Sequence, residues 1–334
     1  MTKREERDYV RRLAAEYMEL AGSPDNAARR RRWQAVYALE TPDRMPVLCR
    51  GANSYFAPDS PARNDDFPEQ YRLHCTDPLC LSLEVSLQAQ LAHYHLGDDK
   101  PLYPYWRVPL CIEEYELCWG FEVPTREREG ADSRNYYVDP PIKGEEDLAK
   151  LRVPDLAGYL ATQKKRAQDK LEAYADLLGE VMPVRLAPDF WHGLGYTASR
   201  LMGMDHLMLN MCLKPELVHA LMRFLSEGSV ALLQAMDELQ VYTEESHCHE
   251  WYLIPHNEPV RDPSSPGPIR TCDLWGRTES QEFQLVSPEM TYEFLVQYQI
   301  PPLERYKLVS YGCCENLTDK WDYVFKIPNL RVSV

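Results

Sequence analysis

Lys307-Leu308-Val309-Ser310-Tyr311-Gly312-Cys313-Cys314-Glu315-Asn316 reads as a short strand that carries chemistry to its own C-terminal end. Lys307 to Tyr311 is a β-favouring run, Gly312 stops it, and two adjacent thiols and a carboxylate follow. In a parallel α/β architecture, sites are built at the C-terminal ends of strands. Thiolate, carboxylate and a nearby imidazole are the ligand types that zinc prefers. Free cysteine is also a common buried filler, and neighbouring side chains of a strand face opposite ways. On this run alone both readings stand.

Upstream, apolar periodicity predicts alternating helices and strands. Residues 4–21 read as an amphipathic helix with Val10, Leu13, Tyr17 and Leu20 on one side, and Gly22 to Asn26 ends it and opens a second helix to about Leu39. Residues 1–40 therefore form an N-terminal helical extension. A turn at Thr41 to Pro46 leads into a strand, Val47 to Gly51, and Asp77-Pro78 opens a helix to about Tyr94 that Gly97-Asp98-Asp99 closes. Short strands follow between Arg107 and Val138, then a helix over 157–179, a strand from Met182 to Pro188, helices near 196–203 and from Pro215 to about Leu239, and a strand from Val241 to Cys248. Pro215 at the first helical position and the set Val218, Leu221, Met222 and Leu225 mark that helix clearly. Trp251 to Asp273 is a polar, proline-rich loop, Ser287-Pro288-Glu289 starts a helix, and a last strand begins at Leu330. The alternation predicts an α/β fold, a (β/α)8 TIM barrel over residues 41–334.

With 334 residues the chain can bury a large core, and its 44% hydrophobic and 27% charged residues are those of a globular protein. No apolar run approaches the roughly 18 residues of a membrane span, and Met1 to Asp8 lacks a signal core, so the expectation is a cytoplasmic protein without a membrane partner. Ten scattered cysteines in so long a chain read as reduced thiols. A formal net charge of -15 argues against nucleic acid, whose binding depends on Lys and Arg neutralising phosphates.

Several segments in order resemble one family. They are Arg44-Met45-Pro46-Val47, Gly97-Asp98-Asp99, the stretch Glu146 to Pro154, Leu201-Met202-Gly203, Pro215-Glu216-Leu217-Val218-His219 and Ser287-Pro288-Glu289-Met290. Together they are similar to the uroporphyrinogen decarboxylase superfamily, which includes zinc methyltransferases acting on methylated corrinoid proteins. The likeness runs from about residue 40 to the C-terminus. It implies a (β/α)8 barrel with its site at the C-terminal mouth, and about two further βα units would be needed after Val334 to close it. The decarboxylases carry an Arg-rich, Gln-Ala-Gly motif after the first strand. Here Cys49-Arg50-Gly51-Ala52-Asn53-Ser54 stands there and only Arg50 matches. The methyltransferase branch carries His-x-Cys-Gly, whose His and Cys bind zinc. Here Tyr311-Gly312-Cys313-Cys314 places Cys313 at the ligand cysteine and Tyr311 at the histidine.

The resemblance implies a zinc methyltransferase with Cys313 as a ligand, and the residues themselves offer Cys314, Glu315 or His247 beside it; the reaction would move a methyl group between a small thiol or O-methyl compound and a corrinoid protein. A homodimer is compatible with that reading. The alternatives are a porphyrin-pathway decarboxylase acting through Arg50 without metal, and a non-catalytic binding relative. Glu315 is read as a third ligand, a base or a helix N-terminal carboxylate. His247 and His249 share one face if the strand from Val241 continues, and a solvated loop serves the residues equally well. His192, after a strand and before Gly193, is a candidate acid or hydrogen-bond donor, or a structural histidine. Arg50 fits a carboxylate clamp or an ordinary ion pair. Asn53, Trp106, Trp251 and Trp275 are candidate substrate contacts, with core packing the default for the tryptophans.

Overall fold

The computed structural model describes residues 1–49, 68–127, 136–247, 261 and 264–333. The chain divides into two compact units, the first built mainly on Met1–Leu110 and Lys165–Ala187, the second on Cys111–Lys164, Pro188–Glu244 and Val260–Val334. None of the described helices is long and apolar enough to cross a membrane.

Three helices organise the first unit: α1 (Lys3–Ala21), α2 (Pro24–Tyr37) and α3 (Pro78–Tyr94). Each starts on a cap that the sequence spells out. Thr2 and Glu5 form a reciprocal capping box, Ser23 precedes a proline at the first position of α2, and the Asp77 carboxylate accepts from Leu79 N and Cys80 N. Val10, Ala14, Tyr17 and Ala21 of α1 are buried against Cys80, Leu83, Leu87 and Leu91 of α3 and against Tyr174, Leu177 and Leu178. The buried stripe is thus turned from the expected one, with Leu13 and Leu20 flanking it, because alanines at the centre let the helices approach closely. Each fully buried leucine here stabilises the fold by about 1.5–3 kcal/mol. Glu6, also buried, accepts from the N–H groups of Thr76 and Asp77 and so fastens α1 to the start of α3.

The strand expected at Val47 to Gly51 is not found over its described residues. Val47 N–H donates to Asp99 Oδ2 at 2.8 Å and Cys49 N–H to Asp98 Oδ2 at 2.7 Å, so carboxylates take the place of a neighbouring strand. Asp99 also accepts from Arg32 and Arg44, and Asp98 contacts His93 Nε2 at 2.8 Å.

Strands β1 (Trp106–Glu113) and β4 (Val184–Trp191) pair with each other, and β2 (Thr125–Glu127) pairs antiparallel with β3 (Tyr136–Val138). In the second unit β5 (Trp275–Thr278), β6 (Leu308–Tyr311) and β7 (Leu330–Ser333) form a parallel sheet in that order. A parallel bridge between His192 and Thr278 joins the end of β4 to β5, closed by His192 N–H to Arg277 O at 3.0 Å and Thr278 Oγ1 to His192 O at 2.7 Å. The other helices are α4 (Glu145–Leu148), α5 (Leu156–Leu178), α6 (Leu194–Met202), α7 (Met204–Leu213), α8 (Pro215–Glu238), α9 (Pro288–Thr291), α10 (Gln297–Leu303) and α11 (Trp321–Val324). As its periodicity predicts, α8 buries Val218, Leu221, Met222 and Leu225. A single π turn, Tyr292–Val296, joins α9 to α10. Pro302 in α10 has no N–H for the Tyr298 carbonyl four residues back, and Ser226 Oγ of α8 donates to that oxygen instead at 2.6 Å.

The architecture is α/β with parallel strands, and among the described residues these strands form no closed barrel. The strand expected from Val241 is a short 3-10 turn, Glu244–His247, over its described part. β5, which no apolar alternation announced, begins just past the loop read at Trp251 to Asp273, in a stretch to which the sequence assigned no element.

Candidate active site

The register of the parallel sheet sorts its side chains into two faces. Gly276 and Thr278 of β5 pair with Val309 and Tyr311 of β6. These four face the helices: a Cβ on Gly276 would lie 2.6 Å from the Tyr306 ring, and Gln299 Nε2 of α10 donates to Thr278 Oγ1 at 2.8 Å. Tyr311 is fully buried and donates from its hydroxyl to Gln299 Oε1 at 3.4 Å. Standing where the resemblance has a zinc-binding histidine, Tyr311 is turned to the helical layer.

Just beyond β6 lie the thiols. Cys313 Sγ is 3.5 Å from Cys314 Sγ and donates to Gln281 Oε1 at 3.0 Å. Glu315 is committed to backbone: Oε1 accepts from Ser280 N at 2.7 Å and Oε2 from Cys313 N at 2.9 Å, which ties the loop after β5 to the loop after β6. Beside them Glu279 is only 4% exposed, and its Oε1 has no hydrogen-bond partner among the described residues. Burial, then the charge of Glu282, pushes its carboxyl up to about 8, so it holds its proton at neutral pH.

Two sulfurs 3.5 Å apart approach the roughly 3.8 Å edge of a tetrahedral zinc-thiolate centre with 2.3 Å bonds. A third ligand is the difficulty. Glu315 is engaged, and the side chain of His247 lies outside the described residues. Among the described residues no group of three or more His, Cys, Asp or Glu side chains is placed to hold a metal ion. The described residues thus provide two neighbouring thiols and no third ligand beside them.

His192 lies on the helical face, fully buried. Nδ1 is 3.2 Å from Glu114 Oε1 and 3.0 Å from Ser229 Oγ, and Nε2 is 3.0 Å from the Tyr306 hydroxyl. Ser229 also donates to Glu114, whose carboxyl burial shifts upward. Both ring nitrogens are therefore engaged inside the protein, and this geometry gives His192 a structural place between β4, α8 and Tyr306 rather than an open nitrogen for substrate.

The opposite face holds residues that the sequence reading passed over. Trp191, one residue before His192, points the other way, with the Arg277 guanidinium carbon 5.9 Å from its ring centre. Gly193 permits this fold-back, because a Cβ there would meet the indole at 2.9 Å. Glu113 ends β1 on this side. Burial, then the charges of Asp189 and Glu116, pushes its carboxyl up to about 7 against the opposing pull of Arg277. The signal lay in Asp189-Phe190-Trp191-His192-Gly193: with period-2 alternation, reading His192 toward the helices puts Asp189 and Trp191 on the open side.

Arg50, Asn53 and Trp251 lie outside the described residues. Trp106 is buried in the helical core of the first unit, its ring 6.5 Å from Tyr17 in a T-shaped contact, which is packing. Trp275 is 9% exposed in β5.

No protein-family profile and no curated protein matches the chain. Among solved structures, a methyltransferase from Methanosarcina mazei is similar at 18% sequence identity and a TM-score of 0.42, covering 85% of this chain and 69% of that one.

Proposed function

We propose that this protein is an enzyme of the methyl-transfer kind whose reacting groups are Cys313 and Cys314, at the C-terminal end of β6. The observation that carries the reading is the thiol pair itself, 3.5 Å apart, half-buried and exposed respectively, in the segment that resembles the ligand strand of the corrinoid-linked methyltransferases. Gln281 and Glu315 would orient Cys313, the first through its sulfur and the second through its backbone N–H. A thiolate there would attack the methyl carbon of a small thiol ether or O-methyl compound, forming a cysteine S–CH3 bond while the donor's S–CH3 or O–CH3 bond breaks and the leaving group departs with the bonding pair. Cob(I)alamin would then form its Co–CH3 bond as the cysteine S–CH3 bond breaks and the thiolate leaves with that pair. The proposal extends to a zinc ion on Cys313, Cys314 and His247, to a corrinoid protein as partner and to a (β/α)8 plan.

Two measurements test it together. Elemental mass spectrometry on protein purified without chelator is expected to find near one zinc per chain in the wild type and none in the Cys313→Ser, Cys314→Ser double variant. Free cob(I)alamin, offered with methylated thiols and methyl ethers, is expected to turn into methylcobalamin by absorbance, with the rate abolished in the double variant. Metal-free wild-type protein that methylates no cob(I)alamin from any donor would overturn the reading.

A further inference from the structure

Arg200 of α6 is a cation without a carboxylate partner among the described residues. Its guanidinium carbon lies 5.2 Å from the Tyr115 ring centre and 5.7 Å from that of Tyr196, and its Nη1 reaches the Tyr196 hydroxyl at 3.4 Å. Its Nε–H is buried with no acceptor among the described residues. A buried donor left without an acceptor is destabilising, and an acceptor brought to it would relieve that. The rings beside it are only half-buried and form a continuous wall: Tyr115 to Tyr196 at 5.3 Å edge to face, Tyr196 to Trp191 at 6.0 Å, and Arg277 at the far end over Trp191. Glu113 stands next to this wall, near enough that its charge acts on Tyr115. Its backbone N–H is held by the Tyr159 hydroxyl at 3.0 Å, while its carboxyl makes no hydrogen bond among the described residues.

We propose that this wall binds a planar aromatic monocarboxylate, with the carboxylate on Arg200, the ring against Tyr196, Tyr115 and Trp191, and Glu113 at its edge. Half-exposed aromatic rings favour a flat π surface over an aliphatic one. The unpaired guanidinium selects an anion, and Asp189 and Glu116, which also surround Glu113, disfavour a second negative charge on the ligand. The proposal uses neither thiol and stands apart from methyl transfer.

Isothermal titration calorimetry of the full chain with benzoate, benzamide and phthalate tests it. Benzoate is expected to bind saturably, with the uncharged amide and the dianion weaker by at least about tenfold. Arg200→Met should weaken benzoate by a similar factor while leaving the circular dichroism spectrum unchanged. Benzoate affinity should fall as pH rises through about 7, where Glu113 ionises beside the bound anion, and the profile should be flat in Glu113→Gln. Absence of saturable benzoate binding to the wild type overturns the proposal. So does binding that a folded Arg200→Met leaves intact, or a pH profile that Glu113→Gln does not flatten. If Arg200→Met fails to fold, the Glu113→Gln profile decides alone.

Discussion

Asp99 and Glu279 are equally hidden from water, at 0% and 4% exposure, and sit in opposite protonation states. Burial pushes both upward. At Asp99 the Arg44 guanidinium, the Val47 N–H and the Arg32 guanidinium outweigh it and hold the carboxyl below the usual range. At Glu279 the neighbour is another acid, Glu282, and the carboxyl rises to about 8. Partners, not depth, set the charge of a buried acid. The first unit uses its buried acids as fasteners, and at the strand ends of the second unit Glu279 and Glu113 have carboxyl oxygens that lack such partners among the described residues.

Removing the fastener should have the largest effect. Asp99→Asn strands Arg32 and Arg44 and should destabilise the protein by about 3 kcal/mol or more, read from urea unfolding. The pH dependence follows the same sign. Because the folded-state value of Asp99 is depressed, its contribution is full above the unfolded value of about 3.9 and is lost as pH falls through the lower folded value. A wild type whose acid limb matches that of Asp99→Asn would break the comparison.

Glu279→Gln should act in the other direction. With a raised folded value, Glu279 costs nothing below the unfolded value of about 4.3, costs increasingly as pH rises toward about 8, and levels off above it. Melting curves at pH 5 and pH 8 should therefore show the variant gaining on wild type at the higher pH, by about 3 kcal/mol. Equal gaps at both pH values would show that Glu279 ionises normally.

Ser226→Ala offers the smallest test. It withdraws the hydroxyl that serves the Tyr298 carbonyl left unbonded by Pro302, and a loss of about 1 kcal/mol in chemical denaturation is expected. No change would mean that water reaches that oxygen as readily as the hydroxyl does.

Local chemistry made much of the fold legible. Apolar periodicity placed α1, and capping residues or prolines placed α2, α3, α8 and the helix that begins at Pro288, because each of these spends a side chain or a missing N–H within its own first turn. The strand at Leu308 was legible from a short β-favouring run, Lys307 to Tyr311, that ends at Gly312. The segment after Pro46 misled, since its extended backbone finds the carboxylates of Asp98 and Asp99, some fifty residues away, rather than a strand. β5 was missed because Trp275-Gly276-Arg277-Thr278 is buried on both faces and therefore lacks alternation.

The candidate site divides in the same manner. The sequence by itself determined that two thiols follow a strand at Gly312 and that His192 follows another, since adjacency along the chain needs no partner to be read. Only the tertiary structure decided what those groups can do. It turned His192 inward onto Glu114, Ser229 and Tyr306, committed Glu315 to the backbone of Ser280 and Cys313, and left Arg200 on two tyrosine rings with a donor unmet. The reason is physical: a side chain's charge and availability depend on which distant groups satisfy it, and that is fixed by packing between elements rather than by neighbours in sequence.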